Sequence, residues 1–376
     1  MNFDLTERQR HLVELASGVV RDHCSFEDES GRDRSGEFPR ELFSAMGEAG
    51  LFRLLGNGDL GGSFLEASLV QETLAFRSAT ASSILFVNSA AVAMMTRGGV
   101  QPAARHVLTG AASGRLAFSF AMTEPQAGSD ASAIATTAAE DGSEFVLQGH
   151  KLYATGAGEA DYLLVVARTR ADGSARSGSS LVLVARDAPG MTIRKLEKVA
   201  GDAHGTCEVF FEAVRVPRDH VVGSLDGAWS LLGFGSQVER LLVAAMSIGF
   251  ARRALTEVKA VLSQRTQFAQ PITEFQAVRH RLADMATELE AMRWMTWRAA
   301  WLADQGRDCT SEINMAKLFA AETGARICAE AMRLAGGRSY FLGDVLNRTW
   351  RESTLSLFAG GTSEIQRNGI AKGMGL

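Results

Sequence analysis

The hydrophobic period changes twice along this chain, and that change limits its architecture more than any other feature. Residues 4 to about 112 have helical character. Thr6 can cap a first helix, Phe38-Pro-Arg-Glu-Leu-Phe begins another, and Ser63 to Gly110 carries helical periodicity with few strand formers. From about Leu116 to Val222 the pattern turns to short apolar runs broken by Gly, Asp and Pro: Glu144-Phe-Val-Leu, Tyr162-Leu-Leu-Val-Val-Ala, Ser180-Leu-Val-Leu-Val and Glu208-Val-Phe-Phe. Long helices then return over Trp229–Gln264, Ile272–Gln305 and Ser311–Leu334, with a shorter piece from Ser363. The expected fold is α+β, mainly α: an N-terminal helical domain over 1–113, a small antiparallel β domain over 114–226 and a C-terminal helical bundle over 227–376. Phe275, Val278, Leu282, Met285 and Leu289 form one stripe, as the core face of a bundle helix does. The Ala/Ser/Met run from Ala79 to Met95, apolar nearly all round, is expected inside a helical bundle.

With 376 residues there is enough chain for a sizeable core and cooperating subdomains. A net charge of -4 offers no electrostatic case for nucleic acid or an anionic membrane. Cys24, Cys207, Cys309 and Cys328 are far apart and no His sits at ligand spacing, so neither a disulfide framework nor a metal site is indicated. The first residues lack a basic region followed by an apolar one, and no stretch reaches the roughly 18 uninterrupted apolar residues of a span. A cytoplasmic protein acting on a small molecule or another protein is expected. His150, His204 and His280 have no nucleophile partner in the sequence and are expected to be structural or surface residues.

Two segments carry the chemistry. The first is Ala121-Met-Thr-Glu-Pro-Gln-Ala-Gly-Ser-Asp130, rich in small and hydroxylic residues around a turn that lets backbone N–H groups approach an anion. Taken alone, Gly-Ser-Asp is a turn or a helix cap. The second is Phe358-Ala-Gly-Gly-Thr-Ser-Glu-Ile-Gln-Arg367. Together they resemble the flavin signatures of the acyl-CoA dehydrogenase family, a resemblance that covers essentially the whole chain. It implies that family's fold: an N-terminal helical domain, a central small β-barrel domain and a C-terminal four-helix bundle. It also implies FAD as cofactor.

By this resemblance Phe120, Met122, Thr123, Gly128 and Ser129 belong to one cofactor segment, with Thr123 at the flavin edge and Ser129 also near substrate. Gly149-His-Lys-Leu-Tyr-Ala-Thr-Gly is similar to a family strand in which Tyr153 flanks the flavin and Thr155 offers a hydroxyl near N5; Gly156 stands where Asn is usual. Alone, Tyr153 would be an ordinary strand aromatic. Arg265-Thr-Gln-Phe-Ala-Gln-Pro, with Gln276 beyond it, resembles the segment that reaches FAD bound mainly to a neighbouring subunit, implicating Arg265, Phe268 and Gln276. Ala269 replaces the usual Gly, which looks like a small change. Gly336 and Gly337 resemble another inter-subunit contact, although Arg333 stands where Gln is typical. Thr362 and Glu364 match positions near the ribityl and ribose groups. A shared FAD implies a homotetramer, or at least a homodimer.

The loop that in many members carries the catalytic glutamate has Gly360 at that position. Isovaleryl-CoA-type and prolyl-carrier-protein-type members instead carry the base on the first long helix of the bundle, in a Glu-Arg pair, and this chain has Glu239-Arg240 there. From Glu239, helical spacing reaches Leu242, Val243, Met246 and Phe250, so the carboxylate lies on an apolar face. Such a carboxylate either takes an arginine as an interior ion pair or has its pKa raised, as a base requires. Arg240 is placed by resemblance near the pantetheine or flavin side, and Gly360 leaves volume beside the reacting carbons. The implied activity is FAD-dependent α,β-dehydrogenation of a short, branched or amino-acyl thioester on CoA or a carrier protein, with an electron-transfer flavoprotein as acceptor. A flavin-dependent enoyl-thioester reductase and a catalytically silent flavin-binding homologue are the alternatives.

Overall fold

The computed structural model describes residues 4–56, 62–170 and 174–376. It divides into two compact units, one of residues 1–30, 63–82 and 239–376 and the other of 31–62 and 83–238, the divisions falling inside helices α2 (Phe26–Ser35), α5 (Ala79–Gly98) and α7 (Ala228–Gln264).

In the first unit, α1 (Glu7–His23) opens on a capping box: the Thr6 hydroxyl accepts from the Gln9 amide, and the Gln9 side chain accepts from the Thr6 amide. It packs on α4 (Phe64–Arg77). α4 in turn packs on α8 (Gln276–Asp304), where Arg293 donates to the buried Glu72 at 2.8 Å. Residues 241–250 of α7 are buried all round the helix, so the apolar face expected around Glu239 widens there into a complete sleeve. α9 (Thr310–Ala335) lies against α8, α10 (Val345–Ser353) and α11 (Ser363–Gly373). In the α8 stripe, Met285 and Leu289 are buried as expected of core, whereas Phe275, Val278 and Leu282 are only half-buried. The sequence pattern missed α10, whose mixed polar residues show no extended apolar run. Glu352 and Arg348 in it are nonetheless buried, the Arg348 guanidinium lying 3.5 Å from Glu29 of α2.

The second unit is built on an eight-stranded sheet in which β1 (Phe118–Ala121) pairs with β4 (Tyr162–Arg168), and the remaining strands follow the order β6-β7-β3-β2-β4-β5-β8. Here β2 is Thr137–Asp141, β3 Glu144–Thr155, β5 Ser179–Ala185, β6 Met191–Leu196, β7 Thr206–Pro217 and β8 Val221–Val222. The sheet is not wholly antiparallel, as the sequence suggested: β1 and β2 both run parallel to β4. The near-continuous apolar runs of β4 and β5 arise because both faces of the sheet are covered. Leu163, Val165, Ala167, Val182 and Val184 join one core, while Leu164, Val166, Leu181 and Leu183 join another with Ala91, Val92 and Met95 of α5 and Leu231 and Leu232 of α7. The apolar run expected in a helical bundle therefore rests, over its second half, on a sheet.

α5 and α7 are each long and apolar enough to cross a membrane by length and composition, but 83% and 67% of their apolar windows are buried inside the protein, as in core helices. All four cysteines are buried thiols.

Candidate active site

In the sheet unit the 121–130 segment is fastened to β3. Lys151 Nζ donates to Glu124 Oε1 at 2.7 Å and to the Met122 carbonyl at 2.9 Å, and the Leu152 amide donates to the Thr123 carbonyl. The Glu124 carboxylate also accepts from the Ala135 and Thr136 amides, and its backbone closes a tight turn with Ala127. Burial depresses Lys151 to about 8, with Glu124 opposing. Burial raises Glu124, but the charge and hydrogen bond of Lys151, with hydrogen bonds from Thr136 and Ala135, outweigh it, so this carboxyl sits below its usual range. On this frame Phe120 and Met122 pack half-buried against the core, Thr123 is half-buried, and Gly128 and Ser129 are exposed. Among the described residues the hydroxyls of Thr123 and Ser129 take no hydrogen-bond partner.

Tyr153 sits at a bulge in the β3–β7 register with φ 58° and is 64% exposed. A left-handed aromatic turned out of a sheet is strained, and such strain collects at ligand-facing positions. Thr155 is half-buried beside the Thr206 hydroxyl at 3.3 Å. The histidines have structural places: His204 is buried with Nδ1 2.8 Å from the Ser83 hydroxyl and is pushed down to about 3 by burial and by Lys198, and His150 stacks on Phe210. His280 is exposed.

In the helical unit Glu239 and Gly360 come together although 121 positions separate them in the chain: a Cβ added at Gly360 would lie 3.7 Å from the Glu239 carbonyl carbon and 3.7 Å from the Arg240 amide. The Glu239 side chain is half-buried, and among the described residues it has no hydrogen bond and no ion pair. Burial pushes its carboxyl up to about 7, with the charge of Arg240 acting against the rise. Arg240 does not close an ion pair on it. Its guanidinium donates instead to the Gly360 carbonyl at 3.3 Å and to Asn314 Oδ1 at 2.9 Å.

Around this point are residues the sequence reading did not single out. Lys317, fully buried, donates to the Gly361 carbonyl at 2.6 Å, and Gln366 Nε2 donates to both the Gly360 and Gly361 carbonyls. A lysine in line with Ile313, Ala320, Ala321 and Gly324 on the buried face of α9 was the available signal. Glu124 and Lys151 lay inside quoted motifs, but their pairing across 27 residues had no local signature.

Thr362 caps α11, its hydroxyl accepting from the Ile365 amide at 3.3 Å, and Glu364 is exposed in the first turn. Arg265 and Gly336 are brought together: Arg265 Nη1 donates to the Ala335 carbonyl at 3.4 Å, and a Cβ on Gly336 would lie 3.6 Å from that nitrogen. Gly337 and Gln276, the latter at the start of α8, are exposed. Phe268 and Ala269 form the two-residue turn between β9 (Thr266–Gln267) and β10 (Gln270–Pro271), with φ of 51° and 64°. Phe268 is 89% exposed. The Ala in place of Gly at 269 is therefore not a small change, because it puts a Cβ on a left-handed residue.

The helix, sheet and helix layers, together with the matches that follow, place the chain among the flavin-dependent dehydrogenases of acyl thioesters. The chain belongs to the acyl-CoA dehydrogenase family. Residues 6–115 match the family's N-terminal domain, 119–214 its middle domain and 229–375 its C-terminal domain. It is 34% identical to the probable acyl-CoA dehydrogenase YngJ of Bacillus subtilis, over 99% of each chain. It is 35% identical to the benzylmalonyl-CoA dehydrogenase of Aromatoleum aromaticum, again over 99% of each. Among solved structures the FAD complex of PigA superposes with a TM-score of 0.93 at 27% identity, covering all of both chains. The protein is thus an oxidoreductase acting on CH–CH bonds, with FAD as its cofactor. The unpartnered Thr123 and Ser129 hydroxyls are free to meet the polar edge of such a group.

Proposed function

We propose that the chain dehydrogenates a short, branched or otherwise bulky acyl thioester, amino-acyl groups included, carried on CoA or a carrier protein, with Glu239 as the base. The observation that carries this reading is the unpaired Glu239 carboxyl, raised to about 7, beside a loop residue that has no side chain of its own. Glu239 takes the proton from the α carbon while the β hydrogen leaves with its electron pair, so one C–H bond breaks at each carbon and a C=C bond forms. FAD, when bound, supplies the acceptor for that hydride. The amides of Gly360, Gly361 and Thr362 have no partner among the described residues and are the donors available to a thioester carbonyl. Arg240, engaged by Gly360 and Asn314, serves chiefly to hold the site in place.

The missing side chain at Gly360 favours a bulky acyl group, and the relative named for benzylmalonyl-CoA supports that class. Tyr153, Thr155, Thr123, Gly128 and Ser129 would line the cofactor on the sheet unit, with Phe120 and Met122 behind them, and Thr362 and Glu364 are further cofactor contacts in this reading. Arg265, Phe268, Gln276, Gly336 and Gly337 would reach the FAD of a neighbouring copy in a homotetramer or homodimer. The exposed Phe268, Tyr340, Phe341 and Leu342 and the half-buried start of the α8 stripe support self-association. Domain limits of 1–113, 114–226 and 227–376, a cytoplasmic location and an electron-transfer flavoprotein as acceptor belong to the same reading.

The test is an anaerobic visible titration of the purified protein and its Glu239→Gln variant with acyl-CoA and acyl-carrier-protein thioesters. Bleaching of the flavin band in the wild type alone supports the assignment. Equal bleaching in both removes Glu239 from the reaction, and a reduced flavin reoxidised by enoyl thioesters reverses the direction.

A further inference from the structure

Lys317 is a buried cation without a carboxylate. Among the described residues it forms no ion pair, and its ammonium meets only main-chain oxygens, of Gly361 at 2.6 Å and of Leu357 at 3.5 Å. A residue that only filled space there would be a methionine or leucine, since an ammonium out of water is costly unless it is matched. Its shorter bond is to the turn that abuts Glu239, and the Leu357 carbonyl lies just before that turn. Gly360 and Gly361 both have left-handed φ, 66° and 95°, and consecutive glycines have the widest conformational freedom of any pair. Both carbonyls of that turn are held, one by Arg240 and Gln366 and the other by Lys317 and Gln366, while its amides have no partner. Donors from α7, α9 and α11 therefore converge on the two carbonyls of this turn.

We infer that Lys317 is a positioning residue, which with Gln366 locks the Gly360–Gly361 turn so that its amides and the backbone of Glu239–Arg240 keep one fixed relation. This rests on the reading of Glu239 as the base. Here the loop has only a backbone to offer, and a backbone of glycines needs an external anchor to hold a single geometry. A misplacement of 1 Å at a reacting centre can lower the rate by about 100-fold.

The experiment uses the flavin-loaded protein and the variants Lys317→Met, Lys317→Gln and Glu239→Gln, with two readouts. The first is hydrogen exchange at the hydrogen-bonded amides flanking the turn, Phe358, Ala359, Ile365 and Gln366. The second is the rate of anaerobic flavin bleaching by an acyl thioester, read against that thioester's binding constant. Lys317→Met is expected to speed exchange at those amides by about tenfold, and to slow bleaching by about 10- to 100-fold, while changing substrate binding little. Lys317→Gln, which keeps a donor, should fall between. Glu239→Gln should abolish bleaching and leave the exchange as in the wild type. Unchanged exchange in Lys317→Met overturns the inference, and so does an unchanged bleaching rate at faster exchange. Should Lys317→Met not fold, Gln366→Met removes the second link and must loosen the same amides, failing which the inference is overturned. If no thioester bleaches the wild type, the reading of Glu239 fails, and the exchange data still decide whether Lys317 anchors the turn.

Discussion

Lys151 and Glu124 form an ion pair at 2.7 Å with 0% and 2% of their side chains exposed, and through it the 121–130 segment is fixed to the strand that bears Tyr153 and Thr155. Two elements that would touch the same cofactor are thereby tied to each other. Removing one partner of such a pair leaves an uncompensated buried charge, a loss of about 3–5 kcal/mol. Lys151→Met is expected to lower the unfolding free energy, extrapolated from a urea titration, by that amount and to purify with less flavin. The double variant with Glu124→Gln should recover part of the loss, and full additivity of the two changes would refute the coupling.

Glu239 ties activity and stability to pH in opposite senses. Its carboxyl, raised from the usual range to about 7, binds a proton more tightly when folded than when unfolded. Between roughly pH 4.5 and 7 the folded state holds more protons at this group, so its contribution to stability falls as pH rises through that window. The base itself becomes competent over the same rise. We expect kcat/KM to increase with an apparent pKa near 7, and Glu239→Gln to be inactive yet to melt higher than the wild type above that pH. A variant that melts lower at pH 8 would argue against a desolvated carboxyl.

At Ala269 the chain carries a Cβ at φ 64°, a conformation that costs an L residue roughly 1–2 kcal/mol relative to glycine. Ala269→Gly should stabilise the β9–β10 hairpin by about 1 kcal/mol, measured as slower proteolysis at Thr266–Pro271 or as a higher melting temperature.

Arg265 offers a planar fork and a permanent charge, and one of its nitrogens already meets the carbonyl before Gly336. Arg265→Lys keeps the charge and loses the fork. We expect flavin affinity to fall by about tenfold, as for loss of a charge-assisted hydrogen bond, with the fold intact by circular dichroism. Undiminished flavin retention would remove Arg265 from the cofactor site.

Gly360→Ala tests the turn more gently. The added methyl would make only ordinary contacts, 3.7–3.8 Å from the Glu239–Arg240 backbone, so its cost is conformational, about 1–2 kcal/mol. Turnover of a bulky acyl thioester should fall more than that of a straight-chain one; an equal fall would separate acyl size from this position.

What was legible in the sequence was what short-range rules encode. Thr6 and Gln9 form their capping box because the two residues meet in a single turn, and the runs from Tyr162 and Ser180 become strands because their residues suit a sheet. The family motifs were recognisable as contiguous strings, and Glu239 was singled out by resemblance to a helix-borne Glu-Arg pair, with helical spacing to Leu242, Val243 and Met246 supporting it. The tertiary structure alone decided the rest. It set Gly360 on the Glu239–Arg240 backbone, turned Arg240 toward Gly360 and Asn314 instead of its own neighbour, buried Lys317 under the Gly361 carbonyl and gave Ala269 a left-handed backbone. Residue type and spacing report the local backbone and the side facing the core. A buried charge's partner, or a glycine's opposite neighbour, is settled only when distant segments pack, because the energy that selects it is the loss of water around both.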